Sequence, residues 1–379
     1  MREQFPIFRH HPELIYLDSA ATAHKPDCVI AAMTKFYEED YATVHRAAYR
    51  GSLKATEQYN ATREMVRRFL NAPLADEVIF TRGTTEAINF VARSFPFEKG
   101  DEVIVSAHAH HSNLVPWQML AQERGIILKW LPPGSSLLPL SKRTKLVAAT
   151  HCSNVTGEIA PIASFVEQAK SVGAAVLVDG AQAAPHLAID VQALGVDFYA
   201  FSGHKCYGPT GIGVLYGKMS QLLRLKPLQG GGDMVLRVDL EESSYQAPPL
   251  CFEAGTPNIA GVLGLKAALE FLETAERDEM PLLHLARSRL QEIERVRILG
   301  NPEAPLLTFV IEGVHPLDLA ALLDSRNIAI RTGNLCAQPL LRSFGCEIAA
   351  RASFGLYNTL EEVEVFTNCV EETVKKLTL

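Results

Sequence analysis

Short apolar runs separated by polar turns set the rhythm of this chain. Residues 77–80, 101–106, 126–131, 145–150, 175–178 and 196–201 have apolar centres of Val, Ile, Leu, Phe and Ala, without alternation of polar positions. Runs of that length read as strands buried on both faces, as in a parallel sheet. Between them, apolar residues at helical spacing predict helices over 26–41, 53–69, 87–94 and 162–172. Strands alternating with helices argue for an α/β domain. An extended piece at 14–17 precedes the first helix. After Gly217 the pattern changes: Gly230, Gly231 and Gly232 interrupt it, 235–249 reads as a polar hairpin, and 259–294 is rich in helix. Strands at 307–311, 329–331 and 352–354 then alternate with helices at 317–324 and 360–377. This predicts a second, smaller α/β unit with 307–311 beside 352–354. The expected division is 20–258 for the large domain and 1–19 with 259–379 for the small one.

Composition narrows this only a little. A chain of 379 residues, 47% hydrophobic and 21% charged, can bury one large core and a smaller one. A net charge of −7 gives no reason to expect a nucleic-acid or membrane surface. No apolar stretch approaches the roughly 20 residues of a membrane span. The expectation is a soluble, cytoplasmic protein. Seven cysteines, scattered and odd in number, argue against a disulfide framework. Most read as small buried hydrophobes.

Candidate chemistry gathers at strand ends. The run 175–178 delivers Asp179, with Gln182 three residues on, and 196–201 delivers Ser202, Gly203, His204 and Lys205. In an open α/β sheet, ligands sit beyond the carboxyl ends of the strands, so these side chains converge on one crevice. An amine able to form an imine and an anion able to keep a pyridine nitrogen protonated are what pyridoxal phosphate requires. Thr84 and Thr85, after Gly83 at a strand-to-helix turn, offer N–H groups and hydroxyls to a phosphate, a weak signal taken alone. There is no dinucleotide fingerprint and no Gly-Lys-Ser/Thr loop. The histidines at 108, 110 and 111 lack the acidic or cysteine companions of a metal site, so no metal is expected. Ser153-Asn154 reads locally as a turn, Arg351 as an ion-pair partner, and Cys336 as packing.

Asp179-x-x-Gln182, Ser202-Gly203-His204-Lys205 and Tyr207-Gly208-Pro209-Thr210-Gly211 together resemble the class V aminotransferase-fold enzymes. Within them the chain is similar to the cysteine desulfurase and selenocysteine lyase group, which supplies sulfur for iron–sulfur cluster assembly. The resemblance runs from Tyr16-Leu17-Asp18 to Tyr357-Asn358-Thr359. It implies a fold-type I pyridoxal phosphate enzyme, with a mostly parallel large-domain sheet, acting as a homodimer with shared active sites. The substrate it implies is L-cysteine or L-selenocysteine, and the partner a sulfur-acceptor protein.

Residue by residue, the resemblance implies that Lys205 carries the cofactor, Asp179 faces its ring nitrogen and Gln182 bonds its ring oxygen. His110 stacks on the ring, and Asn154 lies near the phenolic oxygen or the substrate carboxylate. Ser202, His204, Thr84 and Thr85 hold the phosphate, joined by Thr256 from the neighbouring subunit. Arg351 grips the substrate carboxylate, with Arg331 as a second anion contact or a supporting ion pair, and His45 lines the entrance. Cys336, in Cys336-Ala337-Gln338-Pro339, is the nucleophile that takes the sulfur and becomes a persulfide. Ala109 stands where the pattern has a glutamate, Asn334-Leu335 where it has two histidines, and Cys206 where it has a bulky apolar residue. The rivals are another class V enzyme (aminotransferase, epimerase or kynureninase-like hydrolase) and a non-catalytic scaffold for cluster assembly.

Overall fold

A computed structural model describes residues 1–45 and 47–377. The chain enters through a short strand, β1 (Ile15–Tyr16). A seven-stranded sheet follows, made of β2 (Val78–Thr81), β3 (Glu102–Ser106), β4 (Ile127–Leu131), β5 (Thr144–Thr150), β6 (Ala175–Asp179), β7 (Phe198–Ser202) and β8 (Gly213–Gly217). Its order is β2-β8-β7-β6-β5-β3-β4, and only β8 runs against its neighbours. The remaining strands therefore point their carboxyl ends at one edge.

Both faces of this sheet are buried except along the edge strand β4, where Ile127 and Trp130 are exposed, and alternate residues serve opposite faces as the pleat demands. Tyr199 and Phe201 of β7 join one apolar cluster while Phe198 and Ala200 join the other. β6 splits the same way, Val176 and Val178 against Ala175 and Leu177. This explains why the runs are apolar throughout.

β8 has no such run to announce it, being a five-residue GVLYG with glycine at each end. Close packing accounts for both glycines: a Cβ on Gly213 would lie 2.5 Å from Gly83 Cα, and one on Gly217 2.5 Å from Leu222 Cδ2. The helix expected over 26–41 is α-helical from Asp27 to Lys35 and continues as a π-helical turn over Phe36–Asp40.

A hairpin of β9 (Val235–Val238) and β10 (Ser243–Tyr245) follows the glycines. The smaller sheet comprises β11 (Val296–Leu299), β12 (Leu306–Ile311), β14 (Arg331–Gly333) and β15 (Ala349–Ser353), in the order β11-β12-β15-β14, all antiparallel. The expected neighbours 307–311 and 352–354 do pair, with Leu307 opposite Ala352. β13 (Ile328–Ala329) instead pairs with β1 in parallel, tying the first residues of the chain to the last hundred.

Three apolar clusters make up most of the interior, two on the large sheet and one on the small. The helix Ile259–Thr274 sends Val262, Leu265 and Leu269 into the first of these, together with Phe5. Its apolar face therefore packs with the large sheet although it follows residue 258. The helix Met280–Glu292 sends Leu283, Ala286 and Leu290 into the small-sheet cluster. Among the described residues, no helix is long and apolar enough to cross a membrane.

Gly180, just past Asp179, faces the ring of Tyr199, and a Cβ there would sit 2.2 Å from ring carbons. Tyr199 is fully buried and its hydroxyl is bonded to His151 Nδ1 at 2.9 Å, so the ring has nowhere to retreat. Gly180→Ala is expected to lower stability by about 1–3 kcal/mol, the usual range for overpacking, measured by urea denaturation. An unchanged midpoint would contradict the packing described.

Candidate active site

Beyond the carboxyl ends of β5, β6 and β7 lies a cleft of about 430 Å³. It lies between the large sheet and the segment Arg331–Cys336 of the smaller unit. Thr84, Thr85, His110, Asn154, Asp179, Gln182, Ser202, His204, Lys205, Arg331, Cys336 and Arg351 all line it. Topology explains the convergence. β6 ends at Asp179 and β7 at Ser202, and the turn Gly203–Lys205 carries the lysine straight on.

Lys205 and Asp179 set the electrostatics. Burial pushes the Lys205 amine down to about 8, with Asp179 pulling it back up and Arg351 lowering it further. The Asp179 carboxyl moves the other way: burial raises it, opposed by the N–H of Ala181 donating to Oδ1 at 3.0 Å and by Lys205. Each charge thus limits the cost of desolvating the other.

Ser202 is fixed by Thr84, whose N–H donates to Ser202 Oγ at 2.9 Å and whose hydroxyl lies 2.8 Å from it. This brings the first turn of the helix Thr84–Ser94 to the floor of the cleft. Thr85 is exposed, its hydroxyl 2.7 Å from that of Ser112. His204 shares the same turn, and burial, then the charges of Lys205 and Lys25, push its imidazole down to about 4.

His110 is neutral for the same reasons: burial first, then the charge of Lys205, bring it to about 3. Its Nδ1 accepts from the Ser112 N–H at 3.1 Å, which leaves the ring proton on Nε2. This N-cap bond holds the ring at the head of the 3₁₀ turn His111–Asn113.

Arg351 lies on β15 and is 3% exposed. One guanidinium nitrogen donates to Asn154 O at 2.9 Å and another meets Asp18 Oδ1 at 3.2 Å. Burial lowers its pKa while Asp18 raises it. Arg331, half-exposed, lies 3.9 Å from the other Asp18 oxygen. Asp18, which the sequence reading passes over, thus serves both arginines. The local signal for it is a lone carboxylate directly after an extended apolar piece.

Cys336 stands on the loop between β14 and the helix Gln338–Ser343, half-buried at the cleft wall. Leu335 before it is buried, and its carbonyl accepts from Asn154 Nδ2 at 2.8 Å. Cys152 also lines the cleft, and Cys206 adjoins Lys205 in sequence, but burial pushes both thiols up to about 12. They are protonated small residues, and Cys206 is fully buried.

His45, expected at the entrance, and Thr256, expected to reach the neighbouring subunit's phosphate, both lie outside this cleft. His45 lies edge-on to Tyr59 with ring centroids 5.3 Å apart, and Arg46 beside it lies outside the described residues. Thr256 is exposed and lines a separate hollow with Arg82, Glu86 and Gly255. Neither lines the cleft that this chain builds around Lys205.

The cleft also carries unused polar atoms. Gln182 Oε1, Asn154 Oδ1 and Thr150 Oγ1 are buried there with no hydrogen-bond partner among the described residues. Buried polar atoms are seldom left so, and several on one wall mark the place of a polar ligand. Two arginines, a lysine and a helix start favour an anionic ligand, and buried Asp179 favours a cationic atom opposite it. Pyridoxal phosphate has both features, and the residues present fit it.

Known proteins agree with this geometry. The aminotransferase class-V family model matches residues 15–366. A "probable cysteine desulfurase" of Halalkalibacterium halodurans is 46% identical, over 98% of this chain and 97% of that protein. "Probable cysteine desulfurase 1" of Mycobacterium leprae is also 46% identical over 98% of this chain, but the chain spans only 64% of that protein. The crystal structure of the cysteine desulfurase CsdA (S-sulfonic acid) from Escherichia coli superposes with a TM-score of 0.93 at 43% identity, covering 99% of this chain and 98% of that one. The chain belongs to the class V aminotransferase family.

The electrostatics predict a signed pH effect. Reductive methylation of Lys205 by formaldehyde and cyanoborohydride, followed by peptide mapping, is expected to rise with pH around about 8 rather than near the ordinary lysine value of roughly 10.4. Asp179→Asn removes the anion that holds the proton on, so the midpoint shifts to lower pH. A midpoint that stays or rises in the variant would contradict the pairing.

Proposed function

We propose that the protein is an L-cysteine desulfurase that uses pyridoxal phosphate and collects sulfur as a persulfide on Cys336. The observation that carries the reading is Cys336, presented on a loop of the small unit to the same cleft as Lys205 and Asp179. The names of the relatives support it.

When bound, the cofactor supplies a ring that withdraws electrons from the Cα of an attached amino acid and so makes its proton acidic. Lys205 holds the cofactor, and its low pKa suits Nζ to take up and return that proton near neutral pH. Asp179 would face the ring nitrogen and favour its protonated form. Gln182 and Asn154 offer their unpartnered oxygens to the ring substituents and the substrate. Neutral His110 would face the ring, and Ser202, His204, Thr84 and Thr85 would hold the phosphate. Arg351 would orient the substrate carboxylate by a charged hydrogen bond, with Arg331 beside it and Asp18 between the two guanidinium groups. Cys336 Sγ then takes the sulfur: the substrate Cβ–S bond breaks, an S–S bond forms on Cys336, and the carbon skeleton leaves as alanine. Cysteine plus thiol gives alanine plus persulfide, so the exchange balances without an added oxidant.

The same reading takes the protein as a cytoplasmic homodimer. His45 and Thr256, outside their own chain's cleft, then serve the neighbour's, His45 at its entrance and Thr256 on its phosphate. Exposed Leu236, Val238 and Leu240 on the β9–β10 hairpin give such a contact an apolar surface. Sulfur passes from Cys336 to an acceptor protein of iron–sulfur assembly. Selenocysteine is the alternative substrate.

Alanine release from L-cysteine, followed beside cofactor absorbance, tests the reading. Cys336→Ala is expected to lose alanine formation by several orders of magnitude while keeping the absorbance of bound cofactor. Equal turnover in both would overturn it. Arg351→Ala is expected to raise KM about 10- to 100-fold, the worth of a lost charged hydrogen bond, with the absorbance unchanged.

A further inference from the structure

Adjacent His110 and His111 face different tasks. His110 lines the cleft, whereas His111 grips the loop that carries Cys336. Its backbone N–H donates to the carbonyl of Cys336 at 2.7 Å. Its ring Nε2 accepts from the N–H of Gln338, two residues on, at 3.3 Å. One residue thus holds both the cysteine itself and the start of the helix that follows it.

The loop needs such a grip. Leu335 and Cys336 both adopt left-handed backbone conformations, with φ of 51° and 52°, although neither is glycine. Non-glycine residues persist there only where the surroundings fix them. Here the Cys336 N–H donates to Asn334 Oδ1 at 3.0 Å, and Leu335 and Ala337 are buried with Leu340 and Leu341. Those contacts fix the loop locally, with Val155 packed in the same cluster. Asn154 and His111 tie it across to the large sheet, Asn154 at the residue before the cysteine and His111 at Cys336 itself and at Gln338 beyond it.

We propose that His111 is a positioning residue for the sulfur-accepting thiol, its ring acting as hydrogen-bond acceptor for the Cys336 loop. Accepting at Nε2 requires a neutral imidazole with its proton on Nδ1. Burial, which lowers the His111 pKa, keeps it so. The cofactor wall and the cysteine loop then share one rigid turn, His111–Asn113, which Asn113 anchors to β5 by donating to Ala149 O at 3.2 Å. Movement of the loop relative to the cofactor is limited at that turn.

This inference rests on Cys336 being the sulfur acceptor, so the test includes a readout that needs no turnover. In the cofactor-loaded enzyme, His111→Ala is expected to speed alkylation of Cys336 by iodoacetamide several-fold. kcat for cysteine falls about 10- to 100-fold, as misplacing a reacting atom does, with KM and cofactor absorbance unchanged. His111→Gln, which restores an acceptor, returns both rates toward wild type. His111→Phe keeps a ring without an acceptor and behaves like alanine, which carries the test should the alanine variant fail to fold. Wild-type alkylation and kcat in the alanine and phenylalanine variants would overturn the proposal, as would a loss confined to KM or cofactor absorbance. If wild type makes no alanine but alkylation still depends on His111, the positioning stands and the desulfurase reading falls.

Discussion

An amine held near neutrality beside a buried carboxylate is the constraint on which this site depends. Asp179 and Lys205 issue from neighbouring strands, and each relieves part of the desolvation that the other suffers. Neither would be tolerable alone in that position: a buried unpaired charge costs too much to persist without neutralising. The large sheet brings the two together by ending β6 and β7 at one edge, and the apolar clusters on both faces fix those ends. Gly180 matters for the same reason, since it lets the ring of Tyr199 close against the backbone immediately after Asp179.

Around that pair the site is assembled from two units. The large sheet supplies the polar floor, while the small sheet supplies Arg331, Cys336 and Arg351. At the cleft, hydrogen bonds and ion pairs join the two: Arg351 to Asn154 and Asp18, Asn154 to Leu335, and His111 to Cys336 and Gln338. They fix the spacing between Arg351 and the Cys336 thiol on one side and the wall that carries Lys205 on the other. In this family member Asn334 has its own use, capping the Cys336 N–H, and buried Leu335 anchors the loop in an apolar cluster.

Much of this was legible in the sequence because buried parallel strands leave an unbroken apolar run with a polar residue at its end. That pattern alone marks Asp179 and Lys205 and ties them to a cofactor with an aldehyde and a basic ring. Cys336, Arg351 and His110 carry no such local signal, and only the match to a family's motifs raises them above packing or surface charge. β8 escaped because glycines needed for close packing hide a strand. Asp18 escaped because its partners lie more than 300 residues away in the chain. His111 is equally silent, since its role depends on which loop folds back onto it.

The account claims that sulfur leaves cysteine for one particular thiol among seven. Its most direct test is mass-spectrometric mapping of the cofactor-loaded protein after brief exposure to L-cysteine, with free thiols blocked at once. The account predicts one additional sulfur atom on the peptide carrying Cys336 and none on those carrying Cys152 or Cys206. An added sulfur on either of those buried cysteines, or on no cysteine while alanine accumulates, would contradict it.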